Sequence, residues 1–270
     1  NSLAAHLNMV IPVALAILCS RGLDHRIRGL ARLCLFISII VLVLTLSRGA
    51  FLAFFVMLAI AFGTVLKRNK RVFWKCLALI LSAAIIGTAV SYVAVEAAAD
   101  TSATSTLDRF RGADEATLVR LVIYSAAWKM FTASPMMGIG YGNFRDRFNS
   151  STGTGPDDLW DAHSLYFKFL AETGTIGFLC FLGMIACVVR LARRSWRQGS
   201  DEMERLMGTA VLGSVATVMV QGLVESLIEN PQFGSTLWFL VALLMAASAL
   251  GGKQESAASL VRSGAAGGAS

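Results

Sequence analysis

The chain has 270 residues, of which 56% are hydrophobic and only 15% charged, with 24 Gly, four Pro and five Cys. A soluble domain carries about a quarter charged residues, so this composition, with a mean hydropathy of +0.64, excludes an ordinary soluble domain, a disordered chain and a disulfide scaffold. The net charge of +7 does not indicate nucleic acid, because Lys and Arg in a membrane chain set topology.

Seven stretches are apolar enough to cross roughly 30 Å of hydrocarbon, which takes about 17–25 helical residues. They are Leu3–Cys19, Leu33–Leu46, Ala50–Leu66, Cys76–Val95, Thr173–Val189, Leu206–Val224 and Phe233–Leu250. The second is short and draws on Leu30 and Ala31 or on a locally thinner bilayer. Continuous apolarity makes them helices; barrel strands would alternate polar and apolar residues.

Basic residues follow the first, third and fifth spans: Arg21, Arg26, Arg28 and Arg32; Lys67, Arg68, Lys70, Arg71 and Lys75; Arg190, Arg193, Arg194, Arg197 and Arg205. These loops are expected on the cytoplasmic side. The predicted fold is an all-α, polytopic membrane bundle. Residues 1–95 form four spans, 96–172 a large outward segment with short helices, 173–250 three more spans, and 251–270 a disordered cytoplasmic tail. The chain opens Asn1-Ser2-Leu3 without Met or a charged n-region, so no secretory signal is expected. The Cys residues fall in or beside spans and make no CxxC pair, which reads as buried small hydrophobes. Gly174, Gly177, Gly183, Gly208 and Gly213 suit close helix packing.

Within the outward segment, Ala97–Thr106 reads as a loop. A helix is expected over Glu115–Thr132, with Asp114 and Glu115 at its start and an apolar side of Leu118, Leu121, Val122, Trp128 and Phe131. It lies at the membrane surface or against the bundle, with Arg120 and Lys129 on nearly opposite sides. Ser134-Pro135 stops it, Gly138, Gly140 and Gly142 form a flexible turn, and Asn149–Pro156 reads as a second loop. A further helix begins near Asp161–Ser164, with Asp161 as N-cap, and runs into the fifth span.

Arg48 stands on the outward side in a three-residue turn, against the charge bias. Such an Arg either holds a partner or anionic ligand or snorkels to headgroups. Ser47 reads as the N-cap of the third span, since no base adjoins it. His163 is the only outward His, with His6 in the first span and His25 in a cytoplasmic loop. In the first turn of a helix, whose dipole disfavours imidazolium, it is either a proton acceptor or an ordinary surface His. Asp157-Asp158-Leu159-Trp160-Asp161 has a DDxxD spacing able to hold Mg²⁺, but a second acidic cluster is lacking, so it reads as a solvated loop. Gly140-Tyr141-Gly142 matches a potassium-filter triplet, yet the preceding helix carries Arg120 and Lys129 and is no pore helix.

Taken together, these segments resemble the O-antigen ligase and polymerase family of bacterial envelope glycan enzymes. Leu46-Ser47-Arg48-Gly49-Ala50 resembles its SRG turn. Arg120 to Phe144 resembles the Arg, Trp, Pro, GxGxxxF stretch of its large outward loop. His163 to Gly177 resembles its His followed by E-x-G-x-x-G, and Asn1–Pro12 the opening of a middle span. Family members have about twelve spans, so about five more are expected upstream.

The resemblance implies an inverting, metal-independent glycosyl transfer at the outer face of the inner membrane, without a cofactor. The implied donor is a glycan on undecaprenyl diphosphate, and the acceptor is a sugar hydroxyl of lipid A core or of a growing glycan. Arg48 and Arg120 would hold the diphosphate and stabilise its charge as it leaves. His163 would take the proton of the attacking hydroxyl. Glu172 orients His163, pairs with Arg120 or caps the fifth span. Tyr141, Arg145 and Arg147 either touch sugars or form a solvated face. Membrane lipid and these glycans are the expected partners; nucleic acid is not. The alternative is a non-enzymatic channel or glycan transporter, which would need ionisable residues near the midplane and broken helices.

Overall fold

Apolar helix faces are either packed together or left to lipid, and this chain does both. A computed structural model of the protein describes residues 2–20, 23–45, 47–65, 70–99, 106–152, 162–227 and 234–249, among which no strand occurs. The helices are α1 (Ser2–Cys19), α2 (His25–Leu44), α3 (Arg48–Val65), α4 (Lys70–Ala99), α5 (Thr106–Ala133), α6 (Phe144–Thr152), α7 (Leu165–Gln198), α8 (Glu202–Gln221) and α9 (Gly234–Ala249). The stretches His25–Leu44, Phe73–Val90, Leu165–Gln198 and Glu202–Gln221 are long and apolar enough to cross a membrane, while α1, α3 and α9 are shorter apolar helices. Each of the seven expected stretches coincides, over most of its described residues, with one of these helices, and the protein is a helical membrane protein. Because α2 starts at His25, not Leu33, no thinned bilayer is needed. The Asp24 carboxylate caps it by accepting from Arg26 N–H at 3.3 Å.

Helix α8 is the hub, packed against α1, α3 and α7. Its small residues allow close approach: a Cβ at Gly208 would meet Ala192 O and Trp196 N at 2.7 Å, and one at Gly213 would meet Pro12 and Met57 at 3.2 Å. Gly183 meets nothing within 4 Å and serves no such contact. One apolar core joins α1, α7, α8 and α9 around Met9, Val215 and Leu244. A second joins α1 to α4 around Ile11, Leu35, Met57 and Ile80. Asn8 crosses between the two sets, its side-chain amide donating to Ala50 O at 2.9 Å and to Gln221 Oε1 at 3.5 Å. Of the Cys residues, Cys76 is buried, but Cys34, Cys180 and Cys187 are exposed. They lie on outer faces, where a thiol is apolar enough for lipid.

The segment expected to face outward is more helical than the sequence suggested. Residues 97–99 continue α4, and α5 starts at Thr106, so Asp114 and Glu115 fall inside it. Residues 149–152 belong to α6. The buried side of α5 also differs. Ile123, Ala127 and Met130 are buried against α6 and α7, whereas Leu121, Val122 and Trp128 are more than half exposed. The spacing of four and three residues held the packed stripe, but the bulkier residues beside it face outward. The DDxxD run and the tail after Leu250 lie outside the described residues, and the N-cap of α7 is Ser164, not Asp161.

The glycine turn is a defined clasp on α7. Gly174 breaks α7 with φ 65° and ψ −168°, a conformation reserved for glycine. The break exposes backbone groups, and the strap after α5 satisfies them. Ile139 N–H donates to Ala171 O and Gly140 N–H to Glu172 O, both at 2.9 Å, while Thr175 N–H donates to Pro135 O at 2.8 Å. Gly138 has φ 70°, and a Cβ on it would strike the Glu172 carbonyl. The Glu172 side chain is itself 2% exposed and accepts from Phe144 N–H at 3.1 Å, at the start of α6.

Gly174→Ala and Gly138→Ala should each destabilise the protein by about 1–3 kcal/mol, read as thermal unfolding in detergent, with Gly183→Ala unchanged. Glu172→Ala should cost about 1–2 kcal/mol as a lost helix cap, whereas Glu172→Gln, which keeps the acceptor oxygen, should melt close to wild type.

Candidate functional site

The start of α7 is built from a strained residue and a set of ties. Ala162 is fully buried in the core shared by α5, α6 and α7. His163 follows at φ 46°, the one non-glycine residue in the left-handed region among the described residues. Such strain is held only where surrounding contacts impose it, and it concentrates at functional sites. Ser164 then occupies the N-cap position of α7, without a side-chain capping bond. His163 thus sits just ahead of the helix instead of in its first turn. The displacement reflects the cap: the helix begins at Leu165, three residues later than Asp161 would have allowed.

The His163 loop is tied on both sides. Tyr124 on α5 donates its hydroxyl to His163 O at 3.2 Å. Its ring stacks on Phe167 with centroids 4.8 Å apart. On the other side, Leu165 N–H donates to Gly222 O at 2.8 Å and the Tyr166 hydroxyl to Met219 O at 2.7 Å. Gly222 is needed there because a Cβ would lie 2.9 Å from Leu165.

The same turn after α8 meets the start of α3. Gly49 packs so closely on Val224 that no Cβ fits between them. Arg48, the preceding residue, is the first of α3; its side chain lies outside the described set. Ser47 caps α3 as expected, its Oγ accepting from Ala50 N–H at 3.4 Å. Asn8 and Gln221 meet one residue away from Gly49, beside Ala50 O. The end of α8 therefore adjoins both the α3 start carrying Arg48 and the α7 start carrying His163.

Arg120 and Glu225 complete the group. Burial pushes the Tyr124 phenol up, the Arg120 guanidinium pulls it down, and the Glu225 carboxylate pushes it up again. Both charged side chains thus act on the phenol that holds His163. Arg120 stands one turn before Tyr124 on α5 and is half-buried. The result is a phenol that stays protonated, and so remains a donor, across the neutral range.

The remaining expected residues lie elsewhere. Glu172 caps α6 through Phe144 N–H; no bond to His163 or Arg120 is among its contacts described. Tyr141 is 68% exposed at the tip of the glycine strap. Arg145 is half-buried in the first turn of α6 and Arg147 is exposed. Lys129, far round α5 from Arg120, lines a separate groove of about 740 Å³ with Arg147, Ser125 and Ser150. Tyr124, bonded to His163, and Glu225, which acts on Tyr124, adjoin the candidate site and were missed by sequence reading. The signal for Tyr124 was its position four residues after Arg120, on the same helical face. Glu225 carried none, since its short connection gains meaning only when α8 ends beside α7.

A search of curated proteins returns no match. A family model described as O-antigen ligase matches residues 33–182, from within α2 through the outward segment into α7. That match covers more than half of the chain, and the protein belongs to the O-antigen ligase family.

Proposed function

We propose that the protein is a glycosyltransferase moving a glycan from undecaprenyl diphosphate to a sugar hydroxyl, at the outer face of the bacterial inner membrane. The observation that carries this reading is the gathering of Arg120, Tyr124, His163 and Glu225 beside the α3 start that bears Arg48. The acceptor is a lipid A core sugar in a ligase or a growing glycan in a polymerase.

The chemistry follows from these groups. The acceptor hydroxyl attacks the anomeric carbon from the face opposite the diphosphate, giving inversion. Its proton passes to the His163 imidazole as the new C–O bond forms. The old C–O bond breaks and its electron pair leaves with the diphosphate. Arg48 and Arg120 take up the charge on that leaving group, a task that planar guanidinium performs without a metal ion. The N-terminus of α3 adds the positive end of its dipole to the same place. Tyr124 positions His163 by holding its carbonyl. Tyr141 and Arg145 reach sugars further along the glycan, and Glu172 acts indirectly, by fixing α6. The lipid tail of the donor lies against apolar helix faces.

Charge distribution supports this sidedness. The loops and tail assigned to the cytoplasm hold 16 Lys and Arg against five Asp and Glu; the other side holds eight against twelve. Arg48 and Arg120 are cations on a net acidic side, where an anionic donor would need them.

Substitutions in the full-length protein, at matched membrane levels, test the assignment by consumption of lipid-linked glycan. His163→Ala should slow transfer by about 10²–10⁴, and Arg48→Ala or Arg120→Ala by about 10²–10³, with Arg120→Lys recovering only part. Full activity of His163→Ala, or wild-type activity abolished by chelator and restored by Mg²⁺, would overturn the mechanism. Tyr124→Phe loses one hydrogen bond of about 0.5–1.5 kcal/mol; it should lower kcat roughly three- to tenfold while leaving KM for the donor unchanged.

A further inference from the structure

At the end of the bundle away from His163, α1, α2 and α4 enclose a pocket of about 500 Å³. Arg28 and Arg32 from α2 and Lys75 from α4 line it, with Leu18, Cys76 and Leu79 as apolar walls. We propose that this pocket binds the phosphate of an anionic phospholipid, with the acyl chains running down its apolar side into the bilayer.

The first argument is charge without a counterion. Asp24 is the only acid in the first 95 residues, against ten Lys and Arg. It is occupied in capping α2 through Arg26 N–H and in pairing with His25 at 2.8 Å. Among the described residues no carboxylate lines the pocket, so its three cations repel one another until an anion enters. A phosphodiester supplies that anion and fits the two-pronged guanidinium fork.

The second argument is helix polarity. Both α2 and α4 begin at this end, with Arg28 in the first turn of α2 and Lys75 in the second turn of α4. Helix N-termini carry partial positive charge and disfavour cations. Two N-termini and three cations surround the pocket against the single C-terminus of α1, which brings Leu18 to it, so the net field favours a shared anion. Among α2's first-turn donors, moreover, the Arg28 Nε is buried and has no hydrogen-bond partner among the described residues. Arg32 Nε donates to Arg28 O at 3.3 Å, which leaves the outer guanidinium nitrogens available.

The third argument is depth. Trp74, next to Lys75, is 64% exposed, as are Ile27, Leu30 and Leu33 to about half their surface on α2. Indole beside ammonium, next to lipid-facing aliphatic side chains, marks the level where hydrocarbon gives way to headgroups. A basic pocket between helices at that level takes lipid headgroups. The basic excess at this end assigns the lipid to the cytoplasmic leaflet.

The test is native mass spectrometry of the delipidated full-length protein, titrated with palmitoyl-oleoyl phosphatidylglycerol or with phosphatidylcholine of the same chains. The wild type should prefer phosphatidylglycerol about tenfold or more. Arg28→Gln, Arg32→Gln and Lys75→Gln should each weaken phosphatidylglycerol about fivefold, and the triple variant should bind both lipids alike. Lys75→Arg should keep the preference, as should Arg190→Gln/Arg194→Gln, which removes charge elsewhere. Equal binding of the two lipids by wild type, a preference surviving in the folded triple variant, or loss of preference in the Arg190/Arg194 variant would overturn the proposal. So would displacement of the lipid by equimolar inorganic phosphate, which would make free phosphate the ligand. Wild-type selectivity needs no variant and so decides the matter even if the triple variant does not fold.

Discussion

The clasp between the glycine strap and the break in α7 is the constraint on which the arrangement of α5, α6 and α7 depends. A helix broken at Gly174 leaves carbonyl and amide groups that would be costly to bury unpaired. The strap answers at four points, through Ile139, Gly140, Pro135 and Met136. Since the strap ends α5 and begins α6, the same bonds fix both helices relative to α7. The Glu172 carboxylate locks the arrangement by capping α6 from inside the core. Arg120 and Tyr124 ride on α5, and His163 leads into α7, so their mutual position is set some distance from the site itself. Preorganised donors and charges need that kind of rigid support to act on a transition state.

The other half of the site is positioned by α8. Its small residues let α1, α3 and α7 approach it at once, and its final turn touches the starts of both α3 and α7. Asn8 and Gln221 add buried polar contacts where α1, α3 and α8 meet, in a region where water cannot compensate a lost partner. Two helix N-termini thus converge at one end of the bundle, and both adjoin a residue expected to carry function. The convergence is tertiary: Gly49 and Val224 are far apart in the chain and in contact in the fold.

The sequence made the membrane helices legible because lipid imposes one rule, continuous apolarity, that needs no knowledge of neighbours. It also carried the glycines of the strap, the Ser47 cap and the short motifs that place Arg48, Arg120 and His163. Three features were hidden for different reasons. The buried stripe of α5 was obscured because Leu121, Val122 and Trp128 are apolar yet exposed, so apolarity alone does not mark the packed side. The start of α7 was misplaced because Asp161 and Ser164 are both good caps and only the ties to Gly222 choose between them. Glu172 has a carboxylate suited to substrate, but its partner is a backbone amide 28 residues away, which no local pattern reveals.

The two ends of the bundle solve the same electrostatic problem differently. At each end helix N-termini and arginines are brought together, which favours an anion. At the His163 end Glu225 acts on the same phenol as Arg120, so negative protein charge already offsets part of the field. At the far end the described residues lining the pocket include no acid. Under the proposed function, a partly neutralised site suits an anion that has to depart, since a diphosphate product held too tightly would limit turnover. An uncompensated site suits an anion that stays. On the proposed function, the carboxylate that acts on Tyr124 together with Arg120 would temper the hold on the donor, and the lack of an acid among the described residues lining the Arg28 pocket would favour a resident lipid.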